Sequence, residues 1–278
     1  MEHGESTLAR ECGLGLYVQW WLPLTAPRAT IGFVHGLGGH SGQPTYAHLV
    51  RHLTQNGYAL YGVDLRGHGR SEGLHGHVNA WEEYRADVQG LLHVIGKQSA
   101  GRPLFLLGQS GGGLVVLEYA LRRPEGLRGL IVSAPFLTEL KLPVVQRAVL
   151  LALAYLCPRL RLRPRLDLSG LSRDPEEVQK LVNDPLTDVR YSPRLHRESL
   201  AALRWTRAHA ADLRLPLLLL HGAADPIIPP CGSQAFFEKV ASQDKTFNLY
   251  ADGVHNPFGD SNRQEVLADV ARWLDQHV

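Results

Sequence analysis

The stretch PLFLLGQSGGGLVVLEYALRR, Pro103 to Arg123, decides how the rest of the chain is read. Its first half is a short apolar run ending in glycine, and its second half has the composition and periodicity of a helix. Between them Ser110 stands among four glycines, Gly108, Gly111, Gly112 and Gly113. Glycine is unfavourable inside a regular element, so this density marks backbone forced where side chains do not fit. Strand, serine and helix in that order form the context of a nucleophile elbow, a strained turn that lifts a hydroxyl clear of the backbone. Positions two before and two after the serine are crowded in such a turn, which accounts for Gly108 and Gly112. The helix that follows also aims N–H groups at any anion formed beside the serine. A plain glycine-rich turn is the alternative, and G-x-S-x-G by itself does not exclude it.

Outward from this stretch the same alternation repeats. Runs at Leu16–Pro23, Ala29–Gly36, Ala59–Gly67, Gly129–Phe136, Pro216–Gly222 and Lys245–Ala251 read as further strands. The middle ones are apolar without alternation, as expected of strands covered on both faces. Helical patterns at Tyr46–Asn56, Ala80–Lys97, Gly112–Arg123 and Arg263–His277 separate or follow them. The implied class is α/β, with a mostly parallel central sheet flanked by helices. The chain has 278 residues, of which 44% are hydrophobic, enough for one large core with an insertion. A formal charge of +2 gives no support to nucleic-acid binding. The cysteines Cys12, Cys157 and Cys231 are too few and too scattered for a disulfide framework or a zinc site. A polar, acidic N-terminus without an apolar core predicts a cytoplasmic protein.

The strand alternation stops between residues 137 and 208. Three helices are predicted there: one from Pro143 to before Pro158, one opened by Asp174 with Pro175, and one opened by Ser192 with Pro193. This predicts a helical cap at 137–208 inserted in a core of 1–136 and 209–278. Packing on the sheet flank is the alternative.

Serine becomes a nucleophile only when a base takes its proton and a third group fixes that base. In an α/β-hydrolase arrangement the chain order is serine, acid, histidine, each just past a strand. Asp225 follows LLLLHG, and His255 lies between the last strand and the C-terminal helix. Glu139 is the rival acid. Among fourteen histidines, His35 and His221 end strands but precede Asp225, and His277 lies inside the terminal helix. His68, His75 and His77 lack coherent metal-ligand spacing, so neither a metal nor a cofactor is expected. An oxyanion needs two donors already in place. The Gly111 N–H is one, and the glycine-rich loop HGLGGHSG (35–42) offers the Leu37 N–H as the other. His35 and His40 are expected to brace that loop.

Together HGLGGHSG (35–42), GVDLRGHGRSEG (62–73), GQSGGG (108–113), LSRDPEEV with NDPL (171–186), LLLLHGAADPIIP (217–229) and SQDKT with GVH (242–255) resemble serine hydrolases of the α/β-hydrolase superfamily. The similarity is to the monoacylglycerol lipase and lysophospholipase-like group, and it runs from about residue 30 to the C-terminus. It implies Ser110, Asp225 and His255 as a catalytic triad, Leu37 and Gly111 as an oxyanion hole, and 137–208 as a mobile cap. It also implies that Asp64, Arg66 and His68 form a scaffold network. The group usually reads G-H-S-M-G-G, whereas Gln109 and Gly111 flank Ser110 here. The glycine predicts a looser backbone around one oxyanion donor.

Pro143–Leu156 is apolar on most of its surface, which fits either a buried helix or one that lines an acyl pocket and meets lipid. PRLRLRPRLDL adds Arg159, Arg161, Arg163 and Arg165, either a solvated edge or an attraction to anionic lipid surfaces. The expected activity is hydrolysis of monoacylglycerol-like single-chain lipid esters, with peripheral membrane contact through the cap. A general carboxylesterase, a lysophospholipase and an aminopeptidase using the same triad are the enzymatic rivals. A slow-turnover ligand-sensing receptor is the non-enzymatic one. Dehalogenases and epoxide hydrolases of this fold need an acid where Ser110 stands.

Overall fold

Strands apolar on both faces must be covered on both faces, and the two cores of this protein show how. In the computed structural model, which describes residues 1–9, 13–99, 101–139, 142–164 and 167–278, the elements run in the following order. They are β1 (Glu2–Ala9), β2 (Gly15–Leu22), β3 (Ala29–Val34), α1 (Ala47–Gln55), β4 (Tyr58–Val63), α2 (Glu82–Gln98), β5 (Leu104–Gln109), α3 (Gly111–Arg122) and β6 (Gly129–Ser133). There follow α4 (Val144–Leu156), α5 (Pro175–Val182), α6 (Pro193–Ala208), β7 (Leu217–Gly222), α7 (Cys231–Lys239), β8 (Lys245–Tyr250) and α8 (Arg263–Asp275). The strand order is β1-β2-β4-β3-β5-β6-β7-β8. The β1/β2 and β2/β4 pairs are antiparallel and the rest are parallel.

Successive side chains of a strand point to opposite faces, so each central strand feeds two cores. Leu106, Leu130, Val132, Leu217 and Leu219 join the α2 and α3 side. Their neighbours Phe105, Leu107, Ile131, Leu218 and Leu220 join the α1 and α8 side. This double burial is why those runs show no polar alternation.

Two elements depart from the sequence reading. β1 is a strand although its residues are mostly exposed, because the backbone ladder from Glu2↔Leu22 to Ala9↔Gly15 holds it. α7 lies where no helix is expected, with Phe236 its one deeply buried apolar side chain. Cys12 and Arg165 lie outside the described residues.

Between β6 and β7 the chain forms α4, α5 and α6 and no strand among the described residues. Asp174 caps α5 by accepting from the Glu176 N–H at 3.1 Å, and Ser192 caps α6 by accepting from the Leu195 N–H at 3.0 Å. The segment is tied to the loops beyond the strand ends. His40 Nε2 lies 2.7 Å from Asp184 Oδ2, the Asp188 N–H donates to Gly38 O at 2.8 Å, and Arg173 pairs with buried Asp260 at 2.9 Å. α4 does not pack inward as a wholly buried helix would: only Ala154 is buried, and Val144 and Leu156 are 83% and 79% exposed.

Candidate active site

The turn from β5 into α3 carries Ser110 at φ 54° and ψ −119°, a conformation that side chains rarely adopt. The glycines around it have no room for a Cβ. One on Gly108 would lie 2.5 Å from the Gly112 oxygen, and one on Gly112 would overlap the carbonyl oxygens of Val34 and His35. The elbow therefore packs directly on the end of β3, where the 35–42 loop begins.

Three side chains from three strand ends meet there. His255 Nε2 lies 2.9 Å from Ser110 Oγ, and His255 Nδ1 lies 2.7 Å from Asp225 Oδ2. Asp225 Oδ1 accepts from the Ile227 and Ile228 N–H groups at 2.8 and 2.9 Å. Burial alone would raise the Asp225 carboxyl, but hydrogen bonds from His221 and His255 and the Ile228 N–H hold it well below the usual carboxylate range. An ionised Asp225 makes His255 carry its proton on Nδ1, leaving Nε2 free to accept from the serine hydroxyl. Glu139 is not part of this arrangement; it forms an ion pair with Arg204 at 2.7 Å. His277 bonds to the Trp273 carbonyl and Asp244.

The backbone N–H groups of Leu37 and Gly111 donate to no protein group among the described residues. The Leu37 side chain lies over Gly111, where an added Cβ would overlap Leu37 Cγ and sit 2.9 Å from Cδ1. The space beside Gly111 is therefore filled by the Leu37 side chain, and a larger residue there would displace it. His35 braces the loop as expected: its Nδ1–H donates to Gly36 O at 2.8 Å, and its Nε2 accepts from the Leu65 N–H at 3.0 Å. Burial pushes both His35 and His68 down to about 3, so both are neutral. Asp64 accepts from the N–H and hydroxyl of Ser41 and from the Arg70 N–H, while Arg66 grips Asp87 at 2.6 Å.

Gln109 has a part that motif reading did not assign. Its Nε2 donates to the His255 carbonyl at 3.2 Å, and its Oε1 accepts from Tyr46 OH at 3.0 Å. Tyr46 OH in turn accepts from the Gly36 N–H at 3.4 Å. A chain of hydrogen bonds thus joins the 35–42 loop to the His255 loop through the residue before the serine. The departure from the usual histidine was the available signal; its partners, far apart in sequence, were not.

A cavity of about 1430 Å³ opens on Ser110. Leu37 and Phe136 line its inner end, and Val149, Leu153, Leu195 and Leu200 line it from α4 and α6. It exceeds the roughly 300–1,000 Å³ of ordinary small-molecule sites and is walled mainly by aliphatic groups, so it suits a long apolar chain. A half-buried hydroxyl, an imidazole nitrogen within hydrogen-bond reach of it and two free N–H donors together equip the site for acyl transfer.

A family model described as serine aminopeptidase, S33, matches residues 25–262. The chain is 31% identical over 276 residues to a monoacylglycerol lipase of Mycolicibacterium smegmatis, covering 99% of this chain and 98% of that one. It is 32% identical over 275 residues to the human monoglyceride lipase, covering 96% of this chain and 88% of that one. Among solved structures, the monoacylglycerol lipase of Paleococcus ferrophilus superposes with a TM-score of 0.85 at 33% identity, covering 95% of this chain and 99% of that one.

Proposed function

This chain belongs to the serine aminopeptidase S33 family, and on that premise we propose that it is a serine ester hydrolase acting on monoacylglycerols. Ser110 attacks the ester carbonyl, His255 accepts its proton and returns it to the departing alcohol, and Asp225 holds His255. The N–H groups of Leu37 and Gly111 receive the oxyanion. Water then releases the acyl group by the same steps in reverse order. The observation that carries this reading is the unbroken hydrogen-bonded line Ser110–His255–Asp225 at the inner end of an aliphatic cavity. Relatives named as monoacylglycerol lipases over nearly the whole chain support the substrate class.

Residues 137–208 form a cap over a core of 1–136 and 209–278 in this reading. The side of α4 away from the cavity exposes Val144, Leu151 and Tyr155, an apolar face suited to lying on a lipid surface. Exposed Arg159, just past the end of the helix, favours anionic lipid, whereas Arg163 lines the cavity and Arg161 is engaged with Asp188. Contact is peripheral in this reading: among the described residues no helix is long and apolar enough to cross a membrane.

The deciding experiment is a hydrolysis panel crossing acyl-chain length with glycerol, phosphoglycerol, simple alcohol and aminoacyl leaving groups. Highest kcat/KM on medium- to long-chain monoacylglycerols is expected. A preference for aminoacyl amides, or for phosphoglycerol esters, would overturn the assignment of substrate.

A further inference from the structure

Asp225 holds two imidazoles on one oxygen. Its Oδ2 lies 2.7 Å from His255 Nδ1 and 3.1 Å from His221 Nε2. His221 stands near the end of β7, fully buried, with Ser233 Oγ of α7 2.9 Å from its Nδ1. Its Nε2 faces only groups that accept: the Asp225 carboxylate and the Ile228 carbonyl oxygen at 2.9 Å. Nε2 must therefore carry a proton, shared between those two acceptors, with the Ser233 hydroxyl standing at Nδ1.

We propose that His221 is a positioning residue for the reaction: its Nε2–H fixes the rotation of the Asp225 carboxylate and offsets part of the charge that Asp225 presents to His255. Order along the chain excludes His221 as the base, and nothing excludes it as a donor to the acid. The inference rests on the triad reading above. Its surroundings isolate this effect. Leu249 lies opposite it on β8, Ser133 lies beside the preceding residue on β6, and α7 contributes Ser233. Among the described residues Asp225 is its one ion-pairing partner, with His255 beyond on the same oxygen.

Removing the Nε2–H leaves more negative charge facing His255, so the imidazolium forms more readily and discharges less readily. The carboxylate also loses one of its four donors. Two substitutions separate this from simple core filling. His221→Gln places an amide N–H near the former Nε2, whereas His221→Asn reaches only the Ser233 side. A hydrogen bond to a charged group corresponds to roughly a 10- to 100-fold effect on a rate. His221→Asn should therefore lower kcat/KM by about that factor and move the acid limb of its pH profile upward. His221→Gln should restore most of the rate and the limb. Variants that share the wild-type limb, with rates that merely follow their Tm, would overturn the proposal.

Histidine 15N NMR of the wild-type enzyme tests the same point without relying on a variant that folds. A proton on Nε2 of His221 is expected, and an Nδ1–H tautomer overturns the proposal. Failure of the triad reading would appear elsewhere, as activity retained by Ser110→Ala.

Discussion

The Leu37 side chain occupies the space that any side chain on Gly111 would need. Both residues offer the N–H groups assigned to the oxyanion, so their packing fixes the separation of the two donors. Gly111→Ala should push the Leu37 loop outward and lower kcat/KM by roughly 100-fold, the effect of one lost oxyanion donor. Leu37→Ala alone should preserve activity on short esters. In the double variant the overlaps with Leu37 Cγ and Cδ1 are gone and Leu37 Cβ, 3.1 Å away, is the nearest atom left, so most of the lost rate should return. Additive losses across this double-mutant cycle would show that the two positions act independently.

Ser110→Ala should abolish labelling by a fluorophosphonate without changing the Tm, because no core side chain is lost. His255→Ala and Asp225→Asn should each be severely impaired. Neither should add to the loss in Ser110→Ala, since three groups working as one unit are not independent. Steady-state kinetics of the single and double variants check this, and multiplicative losses would contradict a shared mechanism.

Acid should weaken the fold through His35 and His68. Both have folded pKa values lowered to about 3, against about 6.5 for a free imidazole. The unfolded chain therefore binds more protons between those limits, so stability is greatest above about pH 6.5 and falls toward pH 3. The slope is about 1.4 kcal/mol per pH unit for each histidine. Protonating His35 would also turn the Leu65 N–H acceptor into a donor. Asp225 has the same sign in a lower window: its lowered pKa contributes stability above about pH 3.9 that is lost as the pH falls below that value. Urea unfolding of wild type and His68→Asn between pH 6 and 4.5 measures the difference. Asparagine keeps a donor for the Arg66 carbonyl, and the slope should fall by about one proton. An unchanged slope would mean that His68 does not account for it.

The central strands were legible because double burial writes a continuous apolar run, and the elbow because glycine is demanded on both sides of Ser110. β1 left no such trace, since backbone pairing holds it while its side chains face solvent. α7 buries too few apolar residues to impose a helical period. The order of Ser110, Asp225 and His255 followed from their places after strands, whereas His221 and Gln109 act through partners that only the folded chain brings near. Composition also could not say which way α4 faces, because a helix apolar all round reads alike in a core and at a cavity wall.

The two faces of α4 separate its proposed roles. Val145, Val149 and Leu153 are spaced four apart on the side lining the cavity, where Val145 and Val149 are also exposed, while Val144, Leu151 and Tyr155 lie on the other side and line no part of it. Ala152, a small residue of the same helix, is exposed and lines no part of the cavity. Leu153→Trp should therefore shorten the preferred acyl chain and leave short esters within about twofold, because the triad stands on a separate rigid sheet. Ala152→Trp should leave the chain-length profile unchanged. Leu151→Glu should slow hydrolysis of monoacylglycerol in anionic vesicles several-fold while sparing a soluble ester, since only the apolar outer face changes. Chain-length profiles and Tm values for all three, with vesicle and soluble assays in parallel, make the comparison. If Leu153→Trp lowered every substrate alike together with its Tm, α4 would be packing rather than selecting. If Leu151→Glu slowed both assays equally, its outer face would have no part in reaching lipid.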